Sequence, residues 1–260
     1  MVYGKQKDNV VSEETIIVKA DSLKAFCQRV FEHLNVPPAD ADVTADVLVQ
    51  ADLRGIGSHG VARLRRYVKG LQEGQMIPRP DITAVHETAT TALIDGGGGL
   101  GPPIGVRGMG TAIAKAQEMG VGFVAVRNSN HHGITGYYAM MALEHDCIGI
   151  SMTNADCVMV PTFGKDAMLG TNPISVAVPS GKERPFVLDM ATSVISKGKI
   201  EVYQRALEEL PLGWATDERG IASTDTARVL NNLNARAGGG VLPLGGVGEL
   251  FGGHKGYGLA

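Results

Sequence analysis

Between Asp21 and Leu34 the apolar residues Leu23, Phe26, Val30, Phe31 and Leu34 recur three and four positions apart. This is the period of one helix face, and Asp21 or Ser22 is placed to cap its start. A second helix is predicted from about Pro38, whose missing N–H suits a first turn shared with acidic residues, to about Leu53. After "RGIGSHG" a third helix carries Leu64, Tyr67, Val68 and Leu71 on one side and stops near Gly74. The period then changes. "DITAVHETATTALIDG" (81–96) reads as two short strands about a polar turn, and "VGFVAV" (121–126), "CIGISMT" (147–153) and "PFVLDM" (185–190) read as further strands separated by helical segments. The switch falls between Ile77 and Asp81, where Pro78 and Pro80 interrupt the chain. The pattern therefore predicts an α+β protein with a helical domain over 1–80 and a mixed α/β domain over 81–260.

Composition narrows the function classes. The chain has 260 residues and a formal net charge of -3, so no basic surface is implied, which argues against a nucleic-acid or anionic-membrane partner. Cys27, Cys147 and Cys157 are an odd number with no metal or disulfide spacing, as in a reducing compartment. The first residues are polar and lack the apolar core of a signal peptide, and no stretch reaches the ~20 apolar residues of a membrane span. A cytoplasmic protein is expected. "GGHKGYGLA" breaks off inside a predicted helix, so further C-terminal residues are expected.

The polar motifs offer several chemistries. Gly99, Gly101 and Gly105 approximate a dinucleotide fingerprint between a strand and a helix. Pro102 and Pro103, however, have no N–H to aim at a pyrophosphate, so a plain turn into a helix is the better reading. Arg127 at the end of the next strand suits a 2′-phosphate. "VRNSNHHGITGYYA" (126–139) sets His131 and His132 at a strand-to-helix junction, where an imidazole can trade protons near neutral pH. Spacing puts His59, Arg63 and Tyr67 on one face of a helix beginning near Ser58, with Arg63 suited to a bidentate carboxylate pair or simply to a solvated face. Ser58 and His59 make a poor nucleophile and base, because adjacent side chains usually diverge and no "GxSxG" elbow is present. The histidines lack metal-ligand spacing, so no metal is expected. Asp189 ends an apolar strand, and Lys255 lies in a Gly-bounded turn.

Taken in order, "RGIGSHGVARLRRY", "DGGGGLG", "RNSNHHGITGYYA", "SMTNA", "LGTNPIS", "LDMATS", "GKIEVYQRA", "PLGWA" and "GGHKGYGLA" resemble the type-2 malate/L-lactate dehydrogenase family. That family includes malate, lactate, sulfolactate and ureidoglycolate dehydrogenases, diketogulonate reductase and cyclic imino-acid reductases. The resemblance implies NAD or NADP as cofactor and an oxidoreductase acting on a small 2-hydroxy/2-oxo acid. It implies a helical substrate and dimerisation domain, completed by a C-terminal segment absent here. A mixed-sheet α/β sandwich cofactor domain, unlike the standard Rossmann fold, and a homodimer follow from it too. By the same resemblance His131 is the proton acceptor, with His59 as the competing candidate, and Ser58 and Arg63 contact substrate. Ala155, Asn172, Asp189, Met190, Ala191 and Lys255 contact cofactor. A cyclic imino-acid reductase and a non-catalytic nucleotide-binding or dimerisation module remain as alternatives.

Overall fold

The computed structural model describes residues 17–260; the polar leader of the sequence lies outside them. Helices α1 (Ala20–His33) and α2 (Pro38–Leu53) form where the periodicity places them, and α3 (Leu64–Gln72) follows. α1 presents Cys27 and Phe31 to α2, which answers with Ala41, Ala45 and Leu48, and Tyr67 of α3 closes the cluster. α2 is buried on further sides as well, through Thr44, Val47, Val49 and Ala51. A helix buried on more than one side needs a second neighbour, and the next layer supplies it.

That layer begins with the antiparallel hairpin β1 (Thr83–Glu87) and β2 (Thr91–Gly99), followed by helix α4 (Gly101–Met119) and strand β3 (Phe123–Ser129). β3 pairs parallel with β2, Ile94 opposite Val126, so α4 is the crossover of a βαβ unit. Ile104 and Ile113 of α4 are buried, and Leu100 at its cap joins the α1–α3 cluster. The buried Lys115 ties this helix to the hairpin, donating to the Thr88 carbonyl at 2.7 Å and pairing with Glu87 at 2.8 Å.

Helix α5 (Gly136–Met141) leads to an antiparallel meander of β4 (Gly149–Met152), β5 (Ile174–Val178) and β6 (Phe186–Met190). Here the sequence reading needs correction. β5 replaces the expected helical segment between "CIGISMT" and "PFVLDM": "ISVAV" alternates with Ser175 and Ala177 buried, a strand pattern that the turn residues of "GTNPIS" obscure. Helices α6 (Lys197–Ala206) and α7 (Thr226–Ala235), with the short pair β7 (Ala215–Thr216) and β8 (Gly240–Val241), enclose a second core around Met159, Ile200, Val229 and Val241. Helix α8 (Gly253–Leu259) follows. All three cysteines are free, Cys27 buried, Cys147 half-buried and Cys157 exposed. No helix among the described residues is long and apolar enough to cross a membrane.

Candidate active site

The turn after α2 does not continue as the expected helix from Ser58. A single tight helical turn starts at Val61, whose N–H is taken by the Asp52 carboxylate at 2.8 Å, and α3 proper starts at Leu64. Ser58 and His59 therefore sit ahead of the helix, not on its face. Their side chains also meet, Ser58 Oγ lying 2.9 Å from His59 Nδ1, against the expectation that neighbours diverge. Arg63 locks the turn, its Nε donating to the Ser58 carbonyl at 2.6 Å. A second guanidinium nitrogen pairs with Glu201 of α6 at 3.1 Å, and the third lies where a Cβ on Gly198 would stand. The fork expected to hold a substrate carboxylate is engaged by a carboxylate of the chain itself.

The His131 loop is seated on the glycine cluster. Asn130 donates to the Gly98 and Gly99 carbonyls at 2.9 and 3.0 Å. A Cβ on Gly101 would overlap the carbonyl oxygens of Asn130 and His131. Gly101 thus admits the histidine loop to the start of α4, and the space in front of it is filled by the chain's own carbonyls. Arg127 is committed as well, to Asp95 at 3.0 Å.

His131 stacks on His59 with ring centroids 5.5 Å apart and planes 18° apart. Its Nδ1 lies 2.7 Å from the Tyr67 hydroxyl. His132 turns away and stacks on Tyr138 at 4.9 Å, while the Tyr138 hydroxyl donates to the His132 carbonyl. His132 Nε2 is buried without a hydrogen-bond partner among the described residues. Burial and the neighbouring cations Arg63 and Arg66 hold His59 down to about 4. Burial, then His59 and Arg66, push His131 to about 2, and burial brings His132 to about 4. Near neutral pH all three are neutral imidazoles. No three potential ligands among the described His, Cys, Asp and Glu converge on a metal position.

Most of the remaining candidates gather at one end of the β4–β5–β6 meander. Met190 pairs opposite Ile174 at the start of β5, beside Asn172. The Asn172 side chain accepts from Ala155 N–H at 3.1 Å and donates to the Ala260 carbonyl at 2.9 Å. Asp189 accepts from Gly136 N–H at 2.8 Å, which fixes the start of α5 directly after the His131 loop. Burial raises its carboxyl above the usual range. Lys255 lies in α8, in the wall of a hollow of about 560 Å³ with His254, Glu249, Gly245, Gly252 and Gly256.

The sequence profile of the malate/L-lactate dehydrogenase family matches residues 18–260. The chain belongs to this family. A malate dehydrogenase of Pyrococcus horikoshii is 52% identical over 250 residues, covering 96% of this chain and 68% of that one. An L-sulfolactate dehydrogenase of Methanocaldococcus jannaschii is 44% identical over 245 residues, covering 94% and 67%. The solved structure of a delta1-piperideine-2-carboxylate reductase from Pseudomonas syringae pvar. tomato superposes with a TM-score of 0.83 at 28% identity, covering 94% of this chain and 70% of that one. The chain thus spans about two thirds of the length of these malate/L-lactate dehydrogenase relatives.

Three neighbours escaped the sequence reading as site residues. Tyr67 was placed on a helix face, but its partner lies far along the chain. Glu201 sits inside "GKIEVYQRA" with nothing local to mark it, and His132 was visible only as the second of a pair.

Proposed function

We propose that this chain is an NAD(P)-dependent dehydrogenase moving hydride between a nicotinamide and C2 of a small 2-hydroxy/2-oxo acid such as malate or lactate. The observation that supports it is the stack of two neutral imidazoles, His59 and His131, on a turn braced by Arg63, in a chain of this family. In this reading Arg63 exchanges Glu201 for the substrate carboxylate, for which its planar fork is suited. Ser58 borders the same turn. His131 removes the hydroxyl proton as hydride leaves C2, and returns it in the reverse direction; His59 is the competing candidate. When bound, the cofactor accepts or supplies the hydride. The residues that would hold it are Ala155, Asn172, Asp189, Met190, Ala191 and Lys255. The lysine cation in the wall of the hollow suits the negative charge of a cofactor phosphate. We also read the helical part as the substrate side, the mixed α/β part as the cofactor side of a non-Rossmann sandwich, and the working protein as a cytoplasmic homodimer.

Replacing His131 by Ala is expected to lower turnover by about 10²- to 10⁴-fold with little change in cofactor affinity. Unchanged turnover retires His131 in favour of His59. Arg63→Lys is expected chiefly to raise KM for the acid, because a point charge does not replace a fork.

The likeness to a piperideine-carboxylate reductase favours a second reading, reduction of a cyclic imino acid on the same site. NAD(P)H absorbance with oxaloacetate or pyruvate against cyclic 2-imino acids separates the two. A cofactor titration that shows binding with no turnover of either class would leave the non-catalytic module.

A further inference from the structure

Tyr67 is fully buried, held in α3 with its ring edge-on to Phe31 at 6.1 Å and 83°. Its hydroxyl has two contacts, His131 Nδ1 at 2.7 Å and the His131 carbonyl at 3.1 Å. A carbonyl oxygen only accepts, whereas a phenol both donates and accepts. One arrangement satisfies the phenol and the carbonyl together: Nδ1–H donates to the Tyr67 oxygen and the Tyr67 O–H donates to the His131 carbonyl, which leaves the Gly133 N–H without Nδ1 as its acceptor. The opposite arrangement turns the O–H toward a bare Nδ1, to which Gly133 N–H adds a contact of 3.3 Å, at the long edge of hydrogen bonding. It also strips the carbonyl of its phenolic donor. Burial raises the Tyr67 phenol above its usual range, so it stays protonated and remains a donor to that carbonyl.

We propose that Tyr67 is a positioning residue that holds His131 as its Nδ1–H tautomer and so leaves Nε2 open to take a proton and give it back. The inference rests on the reading of His131 as the proton-transfer group. An imidazole in the other tautomer presents Nε2–H, which cannot accept the hydroxyl proton of a 2-hydroxy acid. When Nε2 is protonated in the reaction, the added charge is shared through Nδ1–H with a hydroxyl already oriented to receive it. The phenol loses no proton at any point, and every bond made or broken lies on substrate, cofactor and Nε2. The stack against His59 keeps the ring plane fixed while this happens.

The test is a long-range ¹H–¹⁵N correlation spectrum of the histidine side chains at pH 7.5, for wild type and Tyr67→Phe, with His131→Gln identifying the His131 signal. Tyr67→Phe keeps the ring packed against Phe31 and removes only the hydroxyl. Wild type is expected to show His131 as the Nδ1–H form. The variant is expected to gain the Nε2–H form, with turnover in the oxidising direction down about tenfold or more and cofactor affinity unchanged. A wild-type His131 already in the Nε2–H form, or a spectrum that Tyr67→Phe leaves alone, overturns the proposal. Full turnover in His131→Gln, with the tautomer shift present, instead overturns the proton-transfer reading on which it rests.

Discussion

Two regions of this molecule hold polar side chains away from water and treat them in opposite ways. At the meander end, Asn172 and Asp189 are spent on backbone: each accepts from an N–H, and Asn172 also donates to a carbonyl. In the histidine cluster, His59 makes one side-chain bond and His132 Nε2 makes none among the described residues. Buried polar groups ordinarily find partners, so a residue with capacity left over is where chemistry or strain is kept, and a fully bonded one is scaffold. The comparison divides the residues by likeness to the family into those that shape the site and those with hydrogen-bonding capacity to spare.

The contrast is sharpest in acid. Each buried histidine has a folded-state pKa below the ordinary 6.5, so above that pH it is neutral in both states and contributes no pH dependence. Below 6.5 the unfolded chain binds protons that the folded chain refuses, and stability is lost as pH falls toward about 4. From pH 7.5 to 5.5 the three together are expected to remove up to about 4 kcal/mol. Urea midpoints at the two pH values measure it, and His132→Phe should remove about a third of the loss; a flat profile would mean the cluster is open to water.

The seat of the histidine loop comes next. Gly101→Ala drives a methyl into two backbone oxygens and is expected to cost about 2–3 kcal/mol together with much of the turnover. Gly110→Ala, on an open stretch of the same helix, should instead gain about 0.5–1 kcal/mol. Equal effects at the two positions would refute the close approach. At the meander end, Asp189→Ala deprives Gly136 N–H of a charged acceptor and should cost about 1–2 kcal/mol by thermal denaturation. The smallest effect is expected at Glu201. A partly exposed pair is worth about 0.2–1 kcal/mol, so Glu201→Gln should lower KM for a carboxylate substrate by no more than about fivefold. A KM that rises would mark the pair as a brace that substrate never displaces.

Much of the fold was legible in residue patterns. α1, α2 and the hairpin have long or alternating runs bounded by Pro, Gly and polar turns, and they form where those runs lie. β5 was hidden because its alternation is short and begins directly after a Pro in a turn-like motif. The start of α3 was misplaced because spacing alone cannot show that Asp52, from the preceding helix, supplies the acceptor at Val61. At the site, resemblance pointed to His59, His131 and Arg63 one by one. The contacts among them depend on packing between segments far apart in the chain. No local rule brings Tyr67 to His131, or Glu201 to the guanidinium.

The three thiols differ in a way that reaches the bench. Cys27 is sealed in the helical core, where burial lifts its thiol to about 11, and Cys147 is half covered. Cys157 lies open to solvent two residues after Ala155. A maleimide dye under mild conditions should couple there first, placing a fluorescent reporter beside the meander end without altering the sequence.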